Sequence, residues 1–287
     1  MPNPNSAAFA SVMPDVQASA DDRNIPIDKV GVKRITYPIT LHCPGTGGHQ
    51  HTVAKVNMYV GLPHHQKGTH MSRFLEVLNL HHAELRSDQI MNVCQDVKER
   101  LNAEQAHLEL QFPYFIHKQA PITSTAGMLD IEVTFEATTN GQFGKNDFIM
   151  GVKVPATSLC PCSKEISDYG AHNQRCEIEV KVRFAAGQSM WIEELFEIVE
   201  NAASANVFAV LKRPDEKYVT EAAYDNPKFV EDIVRDLALM IEEDDRIVWY
   251  QVNSENFETI HNHNAYAFIE RDKRSRNAGN DVTLGNN

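Results

Sequence analysis

The sequence predicts an α+β fold, antiparallel sheets with helices on one face, built as two similar ββααββ modules. One observation is strand alternation: Leu129, Ile131, Val133 and Phe135 interleave with Asp130, Glu132 and Thr134, and Cys176, Ile178, Val180, Val182 and Phe184 repeat the pattern. A period of two turns one face of a sheet toward a core and the other toward water. A second is helical spacing between the strand pairs, as in Phe229, Val230, Ile233, Val234, Leu237, Met240 and Ile241. The third is that the order strand, strand, helix, helix, strand, strand recurs in the second half.

Taken in order, residues 1–28 are rich in Asn, Pro, Ser and Asp and read as a mobile tail. The first module, 29–142, opens with strands over 30–43 and 53–62 around the turn-rich Pro44-Gly45-Thr46-Gly47-Gly48. Two helices follow. One carries Met71, Phe74, Leu75 and Leu78, the other Ile90, Met91, Val97 and Leu101, with Ser87 or Asp88 as its cap. An apolar, aromatic strand over 107–115 and the strand through Phe135 close the unit before a turn at Asn140-Gly141. The second module, 143–271, has strands over 148–154 and 176–184, then a helix bearing Ile192, Leu195, Phe196 and Val199. A further helix is capped by Asn226-Pro227, and strands over 247–252 and 265–269 end the unit. Residues 272–287 lack apolar periodicity and read as a second tail. Sheets of this kind leave edge strands unpaired, so joining modules from several subunits into a closed barrel is expected.

Composition narrows the class of function. Over 287 residues, 42% hydrophobic content suffices to bury a core in one large domain or two medium ones. Five cysteines, an odd number without dense regular spacing, point to a reducing, cytoplasmic setting with free thiols. Neither a leader pattern nor a run of ~20 apolar residues is present, so no membrane span is expected. A net charge of −12 argues against nucleic acid as a partner, because backbone binding needs clustered Lys and Arg.

The chemistry concentrates in the second module. Cys160 and Cys162 sit in the polar, proline-punctuated run Thr157-Ser158-Leu159-Cys160-Pro161-Cys162-Ser163-Lys164-Glu165, which has little helix signal, and His172 follows. Thiolate and imidazole are ligands that zinc and similar divalent ions select. The alternative for the two cysteines is a pair of small, part-buried apolar side chains. Cys176 falls on an alternating strand and reads as core. His261 and His263 would share a side in an extended segment, beside Glu255 and Glu258; the alternative is a surface pair. His81-His82 reads as an exposed helix end. Glu231 reads by position as a solvated first-turn acid, and Glu216, in Arg213-Pro214-Asp215-Glu216-Lys217-Tyr218, as part of a charged loop. In the first module Lys67-Gly68-Thr69-His70-Met71-Ser72-Arg73-Phe74 leads into a helix with cations and a hydroxyl, a weak anion-site signal.

These strings, with Gly170-Ala171-His172-Asn173-Gln174-Arg175, Lys212 through Glu221 and Glu255-Asn256-Phe257-Glu258 ahead of His261-Asn262-His263, closely resemble the type B GTP cyclohydrolase I family over residues 15–270. The resemblance implies a tunnelling fold, tandem ββααββ modules assembled into barrels, as a homo-oligomer (a homotetramer favoured) with sites at subunit interfaces. It implies metal-dependent hydrolysis of GTP at C8, formate release and recyclisation to 7,8-dihydroneopterin triphosphate, the entry to pterin and folate synthesis. Zinc or manganese, among others, would be the ion. Carried onto this chain, Cys160, His172 and Glu216 would be its ligands, Glu231 would anchor guanine, and His261 and His263 would stand near the reacting ring. Lys67, His70, Arg73, Lys164 and Arg175 are the candidates for holding substrate, the cations against its triphosphate. The rival readings are a sibling reaction on this fold, a cyclic-phosphate-forming cyclohydrolase or a nitrile reductase, and a binding module without turnover.

Overall fold

The computed structural model describes residues 14–44, 48–81, 89–141 and 145–274. The first half runs β1 (Ile27–His42), β2 (His49–Leu62), α1 (Met71–Leu80), α2 (Ile90–Arg100), β3 (Ala106–Gln119) and β4 (Ala126–Thr139). The second runs β5 (Asp147–Leu159), α3 (Pro161–Ile166), β6 (Asn173–Phe184), α4 (Ile192–Glu200), β7 (Ala205–Asn206), α5 (Arg213–Asp225), α6 (Val230–Glu242), β8 (Ile247–Asn256) and β9 (Ala265–Asp272). The strands form one antiparallel sheet in the order β1-β2-β3-β4-β5-β6-β8-β9, with β7 added beside β5. The α+β class is therefore as expected.

The period-two pattern explains the layering. Phe112 opposes Val133, Val133 opposes Val152, and Val152 opposes Val180, so one row of apolar side chains crosses the sheet. All are buried, in a core that also takes in Phe74 and Leu78 of α1, Val93 of α2, Leu195 of α4 and Leu237 of α6. Each such side chain contributes roughly 1.5–3 kcal/mol when removed from water. The opposite face is polar: Lys181 Nζ donates to Glu136 Oε1 at 2.7 Å and Asn57 Nδ2 to Glu109 Oε2 at 3.0 Å. At the β4–β5 contact Gly151 leaves room for the Thr134 hydroxyl, since a Cβ there would stand 2.3 Å from Thr134 Oγ1 and turn it away.

Several sequence expectations need correction. The run 161–166 is a short helix rather than a loop, and 213–225 is a full helix rather than a wet connector. Neither shows an apolar stripe, because α3 buries no residue and α5 buries Asp215 and Ala223 alone among its thirteen; tertiary anchoring takes the place of periodicity. Asn226 ends α5, and α6 is capped by Asp232, whose Oδ2 accepts from the Phe229 N–H at 2.9 Å. Residues 14–26 are held in place, with Lys67 N–H donating to the Ser19 carbonyl and Gly68 N–H to that of Gln17, both at 3.1 Å. Strand β9 reaches Asp272, and Lys273 Nζ donates to the carbonyls of Ile241, Glu242 and Asp244, so the second tail begins later than 272. The turn at 45–47, His82 and the cap candidates Ser87 and Asp88 lie outside the described residues. Among the described residues no helix is long and apolar enough to cross a membrane.

Candidate active site

Cys160 and His172 leave and re-enter the sheet at the same end of the β5–β6 pair, on either side of α3. The Cys160 N–H donates to the His172 carbonyl at 3.1 Å, one step beyond the pair Leu159 and Asn173. Ser163 ties both residues together. Its N–H donates to Cys160 Sγ at 3.4 Å, and its hydroxyl donates to the Cys160 carbonyl at 3.0 Å and accepts from the His172 N–H at 3.1 Å.

The His172 ring is oriented by Gln174, whose Oε1 lies 3.1 Å from Nδ1. An amide oxygen only accepts, so Nδ1 is the donor in this contact, the arrangement in which a neutral ring offers Nε2 as its acceptor. This amide orientation also lets Gln174 Nε2 donate to Glu258 Oε1 at 3.4 Å. A fixed tautomer of this kind is how proteins prepare histidine as a metal ligand.

A cavity of about 210 Å³ opens beside Cys160, lined in part by Ser158, Cys160, Gln174, Glu231, Asn256 and Glu258 but not by His172. Glu231 reaches it because the start of α6 is laced to the end of β5. The Lys228 N–H donates to the Leu159 carbonyl and the Ser158 hydroxyl to the Lys228 carbonyl, each at 3.0 Å. With Asp232 serving as the cap, the Glu231 carboxylate is left to line the cavity.

Glu216 stands exposed on the first turn of α5, whose placement depends on Asp215. Asp215 is fully buried and accepts from the N–H groups of Ile122, Thr123 and Lys212, each at 2.9 Å, and from the Thr123 hydroxyl at 2.7 Å. Burial alone would push its carboxyl up; these donors outweigh it and hold it down to about 2, below the ordinary 3.8. A group depressed in this way stabilises the folded chain above its unfolded value and stops doing so as pH falls through its folded one. Asp215→Asn should therefore unfold more easily than wild type in urea at pH 6, with the gap closing between about pH 4 and 2. A gap unchanged across that range would rule out the assigned role.

His261 and His263 are exposed on the β8–β9 loop, rings stacked with centroids 5.1 Å apart, so they come together without forming a strand. Cys162 is exposed, whereas Cys176 is core, its thiol pushed up to about 12 by burial. Lys164 Nζ donates to the Tyr224 carbonyl and sits 4.3 Å from the Tyr224 ring centroid. Arg175 lines a different cavity, with Lys153 and Glu177 on the polar face. Lys67, His70 and Arg73 do lead into α1, where His70 Nε2 pairs with Asp15 at 3.1 Å, but none of them lines the Cys160 cavity. Nor do Cys160, His172 and Glu216 close on a point: among the described residues no three His, Cys, Asp or Glu side chains gather as a metal site. Sulfur and imidazole nitrogen are donor types that suit a borderline divalent ion.

A family model described as type I GTP cyclohydrolase folE2 matches residues 13–267. The chain belongs to that family. The GTP cyclohydrolase FolE2 of Geotalea uraniireducens (strain Rf4) is 53% identical over 270 residues, covering 94% of this chain and 97% of the relative. That of Nitrosomonas eutropha (strain DSM 101675 / C91 / Nm57) is 55% identical over 262 residues, covering 91% and 96%. A uricase from Arthrobacter globiformis superposes with a TM-score of 0.47 at 9% identity, covering 85% of this chain and 92% of the uricase, too distant to carry an argument. The family and enzyme expected from the motifs are thus borne out, against the nitrile reductase and the module without turnover.

Sequence reasoning missed Ser158, Ser163, Gln174, Asp215 and Asn256. The available signal for Ser158, Gln174 and Asn256 is a polar residue at an inward position of an otherwise apolar alternating strand, since a buried polar group persists only where something pairs with it.

Proposed function

We propose that this GTP cyclohydrolase works at the cavity between Cys160 and Glu231, hydrolysing GTP at C8, releasing formate and reclosing the ring as 7,8-dihydroneopterin 3'-triphosphate. The observation that carries the reading is that a sulfur donor and a helix-borne carboxylate line one small cavity. Glu231 takes the N1–H and an amine hydrogen of guanine as a parallel pair, a geometry a carboxylate matches and few other side chains do. Cys160, His172 and Glu216 would hold the divalent ion, zinc or manganese among others, as a mixed S/N/O set. When bound, that ion supplies a water acidic enough to act as hydroxide near neutral pH. His261 and His263, exposed beside the cavity-lining Glu258 in sequence, provide the proton for the ring nitrogen as the imidazole ring opens, with the acid either of the two.

About 210 Å³ accommodates a base but falls short of the ~300–1,000 Å³ of sites for larger ligands. The triphosphate therefore lies outside it. Lys164 stands nearest in sequence, and Lys67, His70, Arg73 and Arg175 come from a second copy of the chain. Assembly is favoured by the sheet itself: β1 and β9 are its two ends, and β9 exposes Tyr266 and Phe268. On this reading the halves 29–142 and 143–271 are tandem modules of a tunnelling fold, closed into barrels as a cytoplasmic homotetramer.

The reaction is tested by incubating purified protein with GTP and Mn²⁺ or Zn²⁺ and following formate and pterin fluorescence. Turnover abolished by a chelator and restored by the ion is expected; turnover indifferent to the chelator sinks the metal assignment. Gln174→Leu frees the His172 ring to rotate or change tautomer, so ion affinity should weaken by about 10–100-fold while the fold is kept. Unchanged affinity by metal titration would show that Gln174 does not orient a ligand.

A further inference from the structure

Asn256, at the last position of β8, is held in one orientation. Its Nδ2 donates to Ser158 Oγ at 3.0 Å, and the Ser158 hydrogen is already directed to the Lys228 carbonyl at 3.0 Å. Ser158 can therefore only accept from Asn256, which makes the amide nitrogen the end that faces it. The other end, Oδ1, is buried and has no hydrogen-bond partner among the described residues, on a side chain only 2% exposed. The contrast lies within one cavity. Gln174 has both amide ends engaged and Ser158 both donates and accepts, while Asn256, a residue that lines the cavity together with Glu231, keeps a buried acceptor unmatched among the described residues. A buried acceptor without a donor is destabilising, and is retained where a ligand supplies the donor.

We propose that Asn256 Oδ1 is a second reader of the purine, accepting the hydrogen of the exocyclic amine that Glu231 leaves over. This rests on the reading of Glu231 as the base anchor. Guanine carries three N–H hydrogens on its N1 and amine groups, and a carboxylate in parallel alignment takes two. The third loses its water when the base enters the cavity, so base and protein each bring one unmatched partner. Asn256 thereby favours a 2-amino purine over one without the amine.

The test compares GTP with inosine triphosphate, which keeps N1–H and lacks the amine. Formate release is measured for wild type, Asn256→Ala and Glu231→Ala, each with the same ion loaded. Asn256→Ala should lower kcat/KM for GTP by roughly ten- to a hundredfold, chiefly through KM, and leave inosine triphosphate nearly unchanged. Equal losses on the two nucleotides, as a merely structural role gives, overturn the proposal, as does no loss on either. Glu231→Ala should depress both, because N1–H is common to them; if it depresses neither, the base-anchor reading fails instead. Should Asn256→Ala not fold, Asn256→Ser keeps a hydroxyl for Ser158 but is too short to reach the base, and is read against the same nucleotide pair.

Discussion

Cys160→Ala is expected to fold, to purify without its divalent ion and to lose GTP turnover by about 1,000-fold or more, since an activated water nucleophile is worth several kcal/mol of barrier. Folding should survive because the sulfur contributes little to the local structure. Its one hydrogen bond among the described residues is the 3.4 Å acceptance from the Ser163 N–H, while the links that hold the β5–α3–β6 corner run through backbone atoms and the Ser163 hydroxyl. Loss of that cap costs about 1 kcal/mol. No neighbouring thiol replaces it: Cys176 is fully buried in the core, and Cys162 is exposed on α3. Elemental analysis of protein purified without chelator, beside far-UV circular dichroism, decides the matter. A variant holding as much ion as wild type refutes the ligand assignment, whatever its activity.

How much of this was legible in the sequence follows from what each element relies on. β4 and β6 were legible because alternation is their stabilising pattern, and α6 because its apolar stripe buries Val230, Ile233, Val234, Leu237 and Ile241. α5 was not, because a buried carboxylate bonded to the 122–123 turn holds it, and a long-range hydrogen bond leaves no periodic trace. The site divides in the same way. Cys160 and His172 were singled out by residue type in a polar, proline-punctuated run and Glu231 through the resemblance, and the structure brings Cys160 and Glu231 to one cavity with the His172 backbone bonded to that of Cys160. Asn256 and Gln174 were silent, since each is one polar residue whose meaning depends on which strands pair. Lys67, His70 and Arg73 show the opposite limit. Their motif was visible, yet its place relative to Cys160 is a question of quaternary geometry that one chain does not contain.

Glu231→Ala separates substrate recognition from metal binding, and should keep its ion and its fold while losing GTP. Retention of the fold follows from the position of Glu231: it is exposed, and the cap of α6 belongs to Asp232, so the substitution should change stability by no more than about 0.5 kcal/mol. Retention of the ion follows because Glu231 is not among the proposed ligands. The loss on GTP is large because two charge-assisted hydrogen bonds go together. At about 1.5–3 kcal/mol each, they correspond to roughly 10²- to 10⁴-fold in kcat/KM. Glu231→Gln should not restore it, since its amide keeps one acceptor but turns a donor against a donor on the base. Ion content lost along with activity in Glu231→Ala would move this residue into the metal site. Near-normal GTP turnover in either variant would remove guanine from the cavity, and with it the reading of the helix-borne carboxylate as the group that tells this purine from others.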